Sequence, residues 1–403
     1  MRITGPDEDG QTQAEQKSHA NAHYVVEFGN GQVKNKHALI STTIVRRFCM
    51  LGVIRFLLAF CVIAFHLTQY IPNLGGLAVN FFYVISGYLI TLVLHKTYGF
   101  KFIPFTKNRF LRLYPAYFVL AAISLLFALT LKSHALFHPS WSEAPSFGDV
   151  TGNIFMFPWA YLSDPIVLVN AFDIHALDSS TLRFRLIPST WSVGVEIACY
   201  FLLWLFCARN VKTTLITICA AIGWHVYSVH QGLHPNMLYN PVNAAMLPFG
   251  LGSLAYHITS RFSIPQLSGK SGIIATILLG VAFGVNWKLS VGKEFLPSVY
   301  YYLNTVLAFV AVIVINKTRH KGVLGSIDKW LGDLAYPMFL GHYVFAFIMW
   351  RILGMSDTPM RGTEIFIYGS ALTVIASIGI VLLVDRKVLK ARNRVKESIS
   401  AVN

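Results

Sequence analysis

Ionisable residues inside apolar stretches carry the chemistry that this sequence could perform. Arg55 lies in FCMLGVIRFLLAFCVIAFHL, and His66 follows eleven positions later. At roughly 100° per residue that spacing is about 20° past three helical turns, so both side chains leave one face of a helix, separated by about 16 Å along its axis. An arginine in hydrocarbon costs about 3 kcal/mol on the insertion scale. The face therefore pairs a fixed cation near one end with a titratable imidazole well into the membrane, a combination suited to anion binding and proton transfer. The plainer alternative is an interfacial anchor and a packed histidine. Glu196 follows Pro188-Ser189-Thr190-Trp191-Ser192 by a few residues, and His342 lies within LGDLAYPMFLGHYVF. A carboxylate about one turn into an apolar helix must be protonated or paired. Arg109 and Arg112, three apart in RFLRLYP, share one face of a helical turn and suit bidentate phosphate binding, or else a basic flank. Ser86-Gly87 sits midway through AVNFFYVISGYLIT, where small residues allow close helix packing or line the path of a thin substrate.

The elements that must position these residues are apolar blocks of about 16 to 21 residues, long enough to cross a hydrocarbon core as helices. They predict an all-α polytopic membrane protein with about ten transmembrane helices, at 49–69, 76–94, 115–131, 191–207, 211–228, 242–257, 270–286, 299–315, 333–352 and 364–384. Ten spans place both termini on one side. Six Lys or Arg precede the first block and five lie in 95–114, whereas the loop 132–190 holds three against five acids. By the positive-inside rule both termini are cytoplasmic and 132–190 faces outward. Residues 151–170 are apolar but contain Pro158, Asp164 and Pro165, so a surface-lying or re-entrant segment is expected in place of a span. The domain reading is a polar tail 1–48, a membrane domain 49–384 and a basic tail 385–403. The polar opening makes the first apolar block an uncleaved anchor.

Composition agrees. Of 403 residues, 55 % are apolar and 13 % charged, which excludes an ordinary cytosolic enzyme. A formal charge of +15 would raise nucleic acid as a partner of a soluble protein. Here the basic residues flank spans, so no nucleic-acid partner is expected. The five cysteines have no metal-ligand spacing and read as packing residues. No internal repeat is evident, which counts against a transporter built from inverted halves.

Taken in order, Arg55 and His66, Phe81-Phe82-Tyr83-Val84-Ile85-Ser86-Gly87-Tyr88, Arg109 to Pro115, Trp191-Ser192 with Glu196, and Tyr336 to His342 resemble the membrane acyltransferase-3 family, the multipass O-acyltransferases of bacterial surface polysaccharides, lipopolysaccharide, nodulation factors and some macrolides. The resemblance runs from about Val45 to Val384. The chain departs from the family pattern at Val53-Ile54-Arg55-Phe56, at Ala335-Tyr336 with Phe339-Leu340-Gly341-His342, and at Asp385-Arg386-Lys387. Those differences bear on the acceptor more than on the activity.

The resemblance implies a bacterial cytoplasmic (inner) membrane enzyme that moves an acyl group, foremost acetyl from cytoplasmic acetyl-CoA, to a hydroxyl of a glycan, glycolipid or lipid-linked saccharide. It implies His66 as general base, since imidazole titrates near neutrality. Glu196 orients it or holds the acceptor, and Arg55 meets either the developing oxyanion or the CoA phosphates. Arg109, Arg112 and Ser86 contact the donor. No cofactor is held permanently, membrane lipid surrounds the chain, and a homo-oligomer is compatible with it. An acyl-histidine relay stands beside direct transfer. A proton-coupled transporter or exporter of a sugar derivative, and a noncatalytic partner in polysaccharide assembly, are the competing readings.

Overall fold

The computed structural model describes residues 50–68, 70–131, 133–141, 144–162, 184–263, 267, 269–316, 323–354 and 362–400. The tail 1–48, Cys49 and Asp164-Pro165 lie outside the described residues. Ten helices of 16 residues or more form one bundle: α1 Leu51–Leu67, α2 Leu74–Val93, α3 Phe102–Thr130, α4 Thr190–Leu205, α5 Val211–His230, α6 Val242–Arg261, α7 Gly269–Ser290, α8 Val299–Asn316, α9 Val323–Ile352 and α10 Thr363–Ile380. A last helix, α11 Arg386–Ser400, continues α10 through a π-helical turn at Val381–Asp385. Among the described residues, six helices are long and apolar enough to cross a membrane; α1 and α4 are shorter apolar helices. At 1.5 Å per residue the 16 residues of α4 rise about 24 Å, short of a full hydrocarbon core of roughly 30 Å.

Contacts at both ends of the helices fix their directions. Val53 N–H donates to Asp328 Oδ1 at one end of α1, and Tyr343 meets His66 at the other, so α1 and α9 run parallel. Tyr336 donates to Leu113 O and Phe127 packs on Phe347, which places α3 parallel to α9. The same reasoning makes α2 parallel to α4, through Tyr83 with Ser192 and Ser86 with Glu196, and to α6, through Tyr83 with Phe249 and Tyr88 with Tyr256.

Apolar burial alone does not associate helices in lipid; close packing and interhelical hydrogen bonds do. Both devices hold α2. A Cβ on Gly87 would stand 2.1 Å from Phe249 O, and one on Gly252 2.1 Å from Val84 O, so the backbones of α2 and α6 touch where only glycine fits. On the other side, Asn304 Nδ2 donates to Asn80 Oδ1 at 2.7 Å and to Leu77 O at 2.9 Å, and Thr305 donates to Asn80 Oδ1 at 3.1 Å. At about 0.6 kcal/mol apiece, such bonds set register more than they set stability. The outer surface is apolar: Ile274, Ile277, Leu278, Val281 and Val285 on α7 are exposed, which suits contact with lipid.

Three elements depart from the sequence reading. Pro115 does not begin a span; it lies inside α3, which starts at Phe102. A proline removes one hydrogen bond, and α3 tolerates that loss in mid-helix because the turns on either side remain bonded. The RFLRLYP segment is therefore helical throughout and continuous with the span. Likewise α9 begins at Val323, ten residues before the expected boundary, and the basic tail is the helix α11, packed against α3. The segment 144–162 folds back on itself. Helix Phe147–Phe155 reverses at Met156, whose φ is 51°, and the short helix Trp159–Leu162 returns. Tyr114 and Tyr117 of mid-α3 donate to Phe155 O and Asn153 O, so the turn lies alongside the middle of α3.

Candidate active site

Two polar clusters occupy the bundle, one at each end of the Arg55–His66 face. The first is a small cavity of about 50 Å³ lined by Arg55 from α1, Tyr83 and Ser86 from α2, Ser192 and Glu196 from α4, and Tyr336 from α9. Ser86 Oγ donates to Glu196 Oε1 at 2.7 Å, and the hydroxyl of Tyr200 donates to the same oxygen. Two donors on one oxygen hold the carboxylate against α2 and its own helix. Tyr200 is four residues after Glu196, the helical spacing that makes side chains neighbours, so this partner was readable in the sequence. Arg55 is within electrostatic reach of Glu196, Arg112 and Asp333.

The second cluster gathers around His66. Tyr343 Oη and His66 Nδ1 are 2.6 Å apart, and the His342 ring stacks on His66 with centroids 5.2 Å apart and planes at 18°. His342 Nδ1 is 2.7 Å from Phe339 O. A carbonyl only accepts, so Nδ1 carries the proton and Nε2 keeps a lone pair; that Nε2 is buried with no hydrogen-bond partner. From the segment between α3 and α4, His138 sets its ring edge-on to Tyr343 at 4.5 Å. The structure thus gives His66 a tyrosine as its bonded partner, while Glu196 takes its bonds from Ser86 and Tyr200. The reason is the rise of α1: Glu196 meets the bundle at the level of Arg55 and Ser86, about 16 Å from His66.

Arg109 and Arg112 divide between two surroundings. Arg112 Nη1 forms a 3.4 Å ion pair with Asp333 on the side of Arg55. Arg109 donates to Asn108 Oδ1 and lines a second, larger cavity of about 580 Å³ between α3, α4 and the Phe155–Pro158 turn. Its walls are apolar, with Phe105, Tyr114, Ile197 and Phe201 among them. Thr106 Oγ1 lies in this wall without a partner. Tyr200 lines the same cavity, and its hydroxyl reaches through to Glu196. Arg109, the larger cavity, Tyr200, Glu196 and Ser86 therefore form one continuous series. Among the described residues, no group of three His, Cys, Asp or Glu is placed to hold a metal ion.

Two curated relatives are the O-acetyltransferase OatA of Staphylococcus aureus (strain NCTC 8325 / PS 47), 24 % identical over 303 residues, and the peptidoglycan O-acetyltransferase OatA of Listeria monocytogenes, 24 % identical over 314. The alignments cover 70 % and 72 % of this chain and 48 % of each relative. This chain spans about half the length of the curated relatives it matches. No solved structure matches it. Its apolar helices and bacterial relatives make it a multi-pass protein of the bacterial inner membrane. The acyltransferase domain family Acyl_transf_3 matches residues 51–385, from the start of α1 to the end of the π-turn after α10, and the chain belongs to that family.

Proposed function

We propose that the protein transfers an acyl group, acetyl from acetyl-CoA foremost, to a hydroxyl of an envelope glycan or lipid-linked saccharide. Family membership and the names of the relatives support this reading. The observation that carries it is the series from Arg109 through the larger cavity and Tyr200 to Glu196, Ser86 and Arg55. The phosphates of CoA sit at Arg109 and Arg112, and the acyl-bearing arm follows the series inward, with Thr106 offering a hydroxyl to its amides. Ten alternating spans, both termini cytoplasmic and the segment around His138 outside would bring donor and acceptor from opposite faces.

At the chemical step an alcohol attacks the thioester carbonyl, its proton passes to a base, and CoA departs as the thiol. His66 is the base: the tautomer in which Nδ1–H donates to Tyr343 Oη gives Nε2 the lone pair that takes the acceptor's proton, and the stacked His342 ring accommodates the charge that arrives. Arg55, about 16 Å along α1 from His66, serves as a cation for the donor in place of the oxyanion formed beside that base, and Glu196, held by Ser86 and Tyr200, fixes the acyl arm. The 16 Å rise between the two clusters also suits an acyl-histidine relay, in which His66 takes the acyl group first. The test is purified full-length protein in liposomes with labelled acetyl-CoA and an oligosaccharide acceptor. Release of free CoA thiol together with label on the acceptor supports the reading. A thioester left intact while a sugar derivative crosses the membrane would replace it with a transporter.

A further inference from the structure

We infer that α11 completes the anion site of this enzyme: Arg392 and Lys396 join Arg109 and Arg112 to hold the phosphate-bearing nucleotide end of the acyl donor. The inference rests on the acyl-CoA reading above, and it adds residues beyond the span 51–385 that the family match covers.

The geometry begins with contact between α11 and α3. Asn108, next to Arg109, donates from Nδ2 to Arg392 O at 3.2 Å, which fixes the register of the two helices. That register crowds cations: Arg392 lies within electrostatic reach of Arg109 and Arg112, and Lys396 within reach of all three and of Lys329. Asp385 lies within electrostatic reach of Arg112 and Arg392, and Asp333, within reach of Arg392, is already paired with Arg112. Among the described residues, neither the buried Nε–H of Arg109 nor that of Arg392 has an acceptor. Guanidinium groups lodged side by side with unused donors form a fork that accepts phosphate oxygens. Burial, and after it the like charges of Arg392, Arg109 and Arg112, draw the Lys396 ammonium down to about 8. The cluster adjoins the larger cavity, because Arg109 belongs to both. A ligand with phosphates here and a thin arm beyond has the shape of acyl-CoA. The same phosphate chemistry could come from a lipid headgroup, and the test separates the two.

Full-length protein in phosphatidylcholine nanodiscs is titrated with CoA, with adenosine 3′,5′-bisphosphate as competitor. Loss of a charge-assisted hydrogen bond predicts affinities at least about tenfold weaker for Arg392→Gln and for Lys396→Gln. Arg394→Gln removes the same charge from an exposed position on the same helix and should leave affinity within about twofold. A thermal melt checks each fold, and Lys396→Arg should retain binding. A second measurement needs no variant: the bisphosphate should protect Lys396, but not the exposed Lys390, from an amine-reactive reagent. If the parent binds CoA and transfers acyl groups while the α11 variants match Arg394→Gln and Lys396 goes unprotected, the inference fails and the function stands. If the parent binds no CoA, the acyl-CoA reading itself fails and takes the inference with it. If phosphatidylglycerol in the nanodisc, and not the bisphosphate, protects Lys396, the cluster is a headgroup site and the inference is overturned.

Discussion

Gly87 ties helix packing to the site, and Gly87→Ala tests that link. The added Cβ would stand 2.1 Å from Phe249 O, whereas ordinary contact begins at 3.4 Å, so α2 and α6 must separate by about 1.3 Å. The obstacle is backbone, which cannot swing aside like a side-chain tip. Overpacking of this kind costs about 1–3 kcal/mol. The adjacent Ser86 moves with the helix, and a comparable shift would stretch its 2.7 Å bond to Glu196 beyond hydrogen-bonding range. The variant should therefore melt several degrees lower in detergent and also lose acyl transfer by about tenfold, the equivalent of one charge-assisted bond. Gly223→Ala is the control, because no atom lies within 4 Å of the Cβ it would add. It should match or slightly exceed the parent, since alanine is the better helix former. A Gly87→Ala protein with the parent's melting temperature and rate would refute the close α2–α6 contact and its coupling to Glu196.

Further outcomes follow from the same contacts. Tyr200→Phe should lower transfer while leaving CoA affinity near the parent's, as a rate assay beside a binding titration would reveal; a pure loss of affinity would remove Tyr200 from the chemistry. Arg109→Lys with Arg112→Lys keeps the charge but not the fork, so donor affinity should fall by about tenfold with insertion unchanged; unaltered affinity would return the pair to a basic flank. Burial lowers the rings of His134 and His138, between α3 and α4, from 6.5 to about 4 and about 3. Folded-state values below the unfolded value mean that this stability is fully present above pH 6.5 and is lost as pH falls toward 4 and 3, by up to about 1.4 kcal/mol per pH unit for each ring. Melts from pH 7.5 to 4.5 should decline, and His134→Gln with His138→Gln should flatten the slope; a flat parent profile would contradict the neutral buried rings. For the ten-span arrangement, cysteines placed at Phe147 and Arg394 in a cysteine-free chain should label from opposite faces of the membrane, and labelling from one face would overturn it.

Helix identity was legible in the sequence because apolar blocks of membrane-spanning length have few other uses. The ends of the elements were less so. Pro115 looked like a helix start because proline favours the first turn, yet α3 continues past it to Phe102. Residues 386–400 read as a charged tail because the flanking charges masked the periodicity that packs Val395 inward. The common face of Arg55 and His66 followed from rotation per residue and holds in α1. What rotation cannot supply is the partner across the interface. Glu196 was expected to be protonated or paired, and the bonds it takes come from two hydroxyls, one on α2 and one on its own helix, with Arg55 within electrostatic reach. Tyr343 beside His66 and Arg392 beside Arg109 depend on which helices meet, and a single sequence does not encode that in any local spacing.

The most direct measurement of the central claim is the mass of envelope glycans from cells that carry the parent chain, the His66→Ala chain or neither. The account predicts glycan species heavier by one acetyl group with the parent alone. A folded, membrane-inserted His66→Ala protein should give none, since losing a general base costs about 10² to 10⁴ in rate. An unmodified glycan in the presence of the parent, or equal modification by the His66→Ala protein, would contradict it.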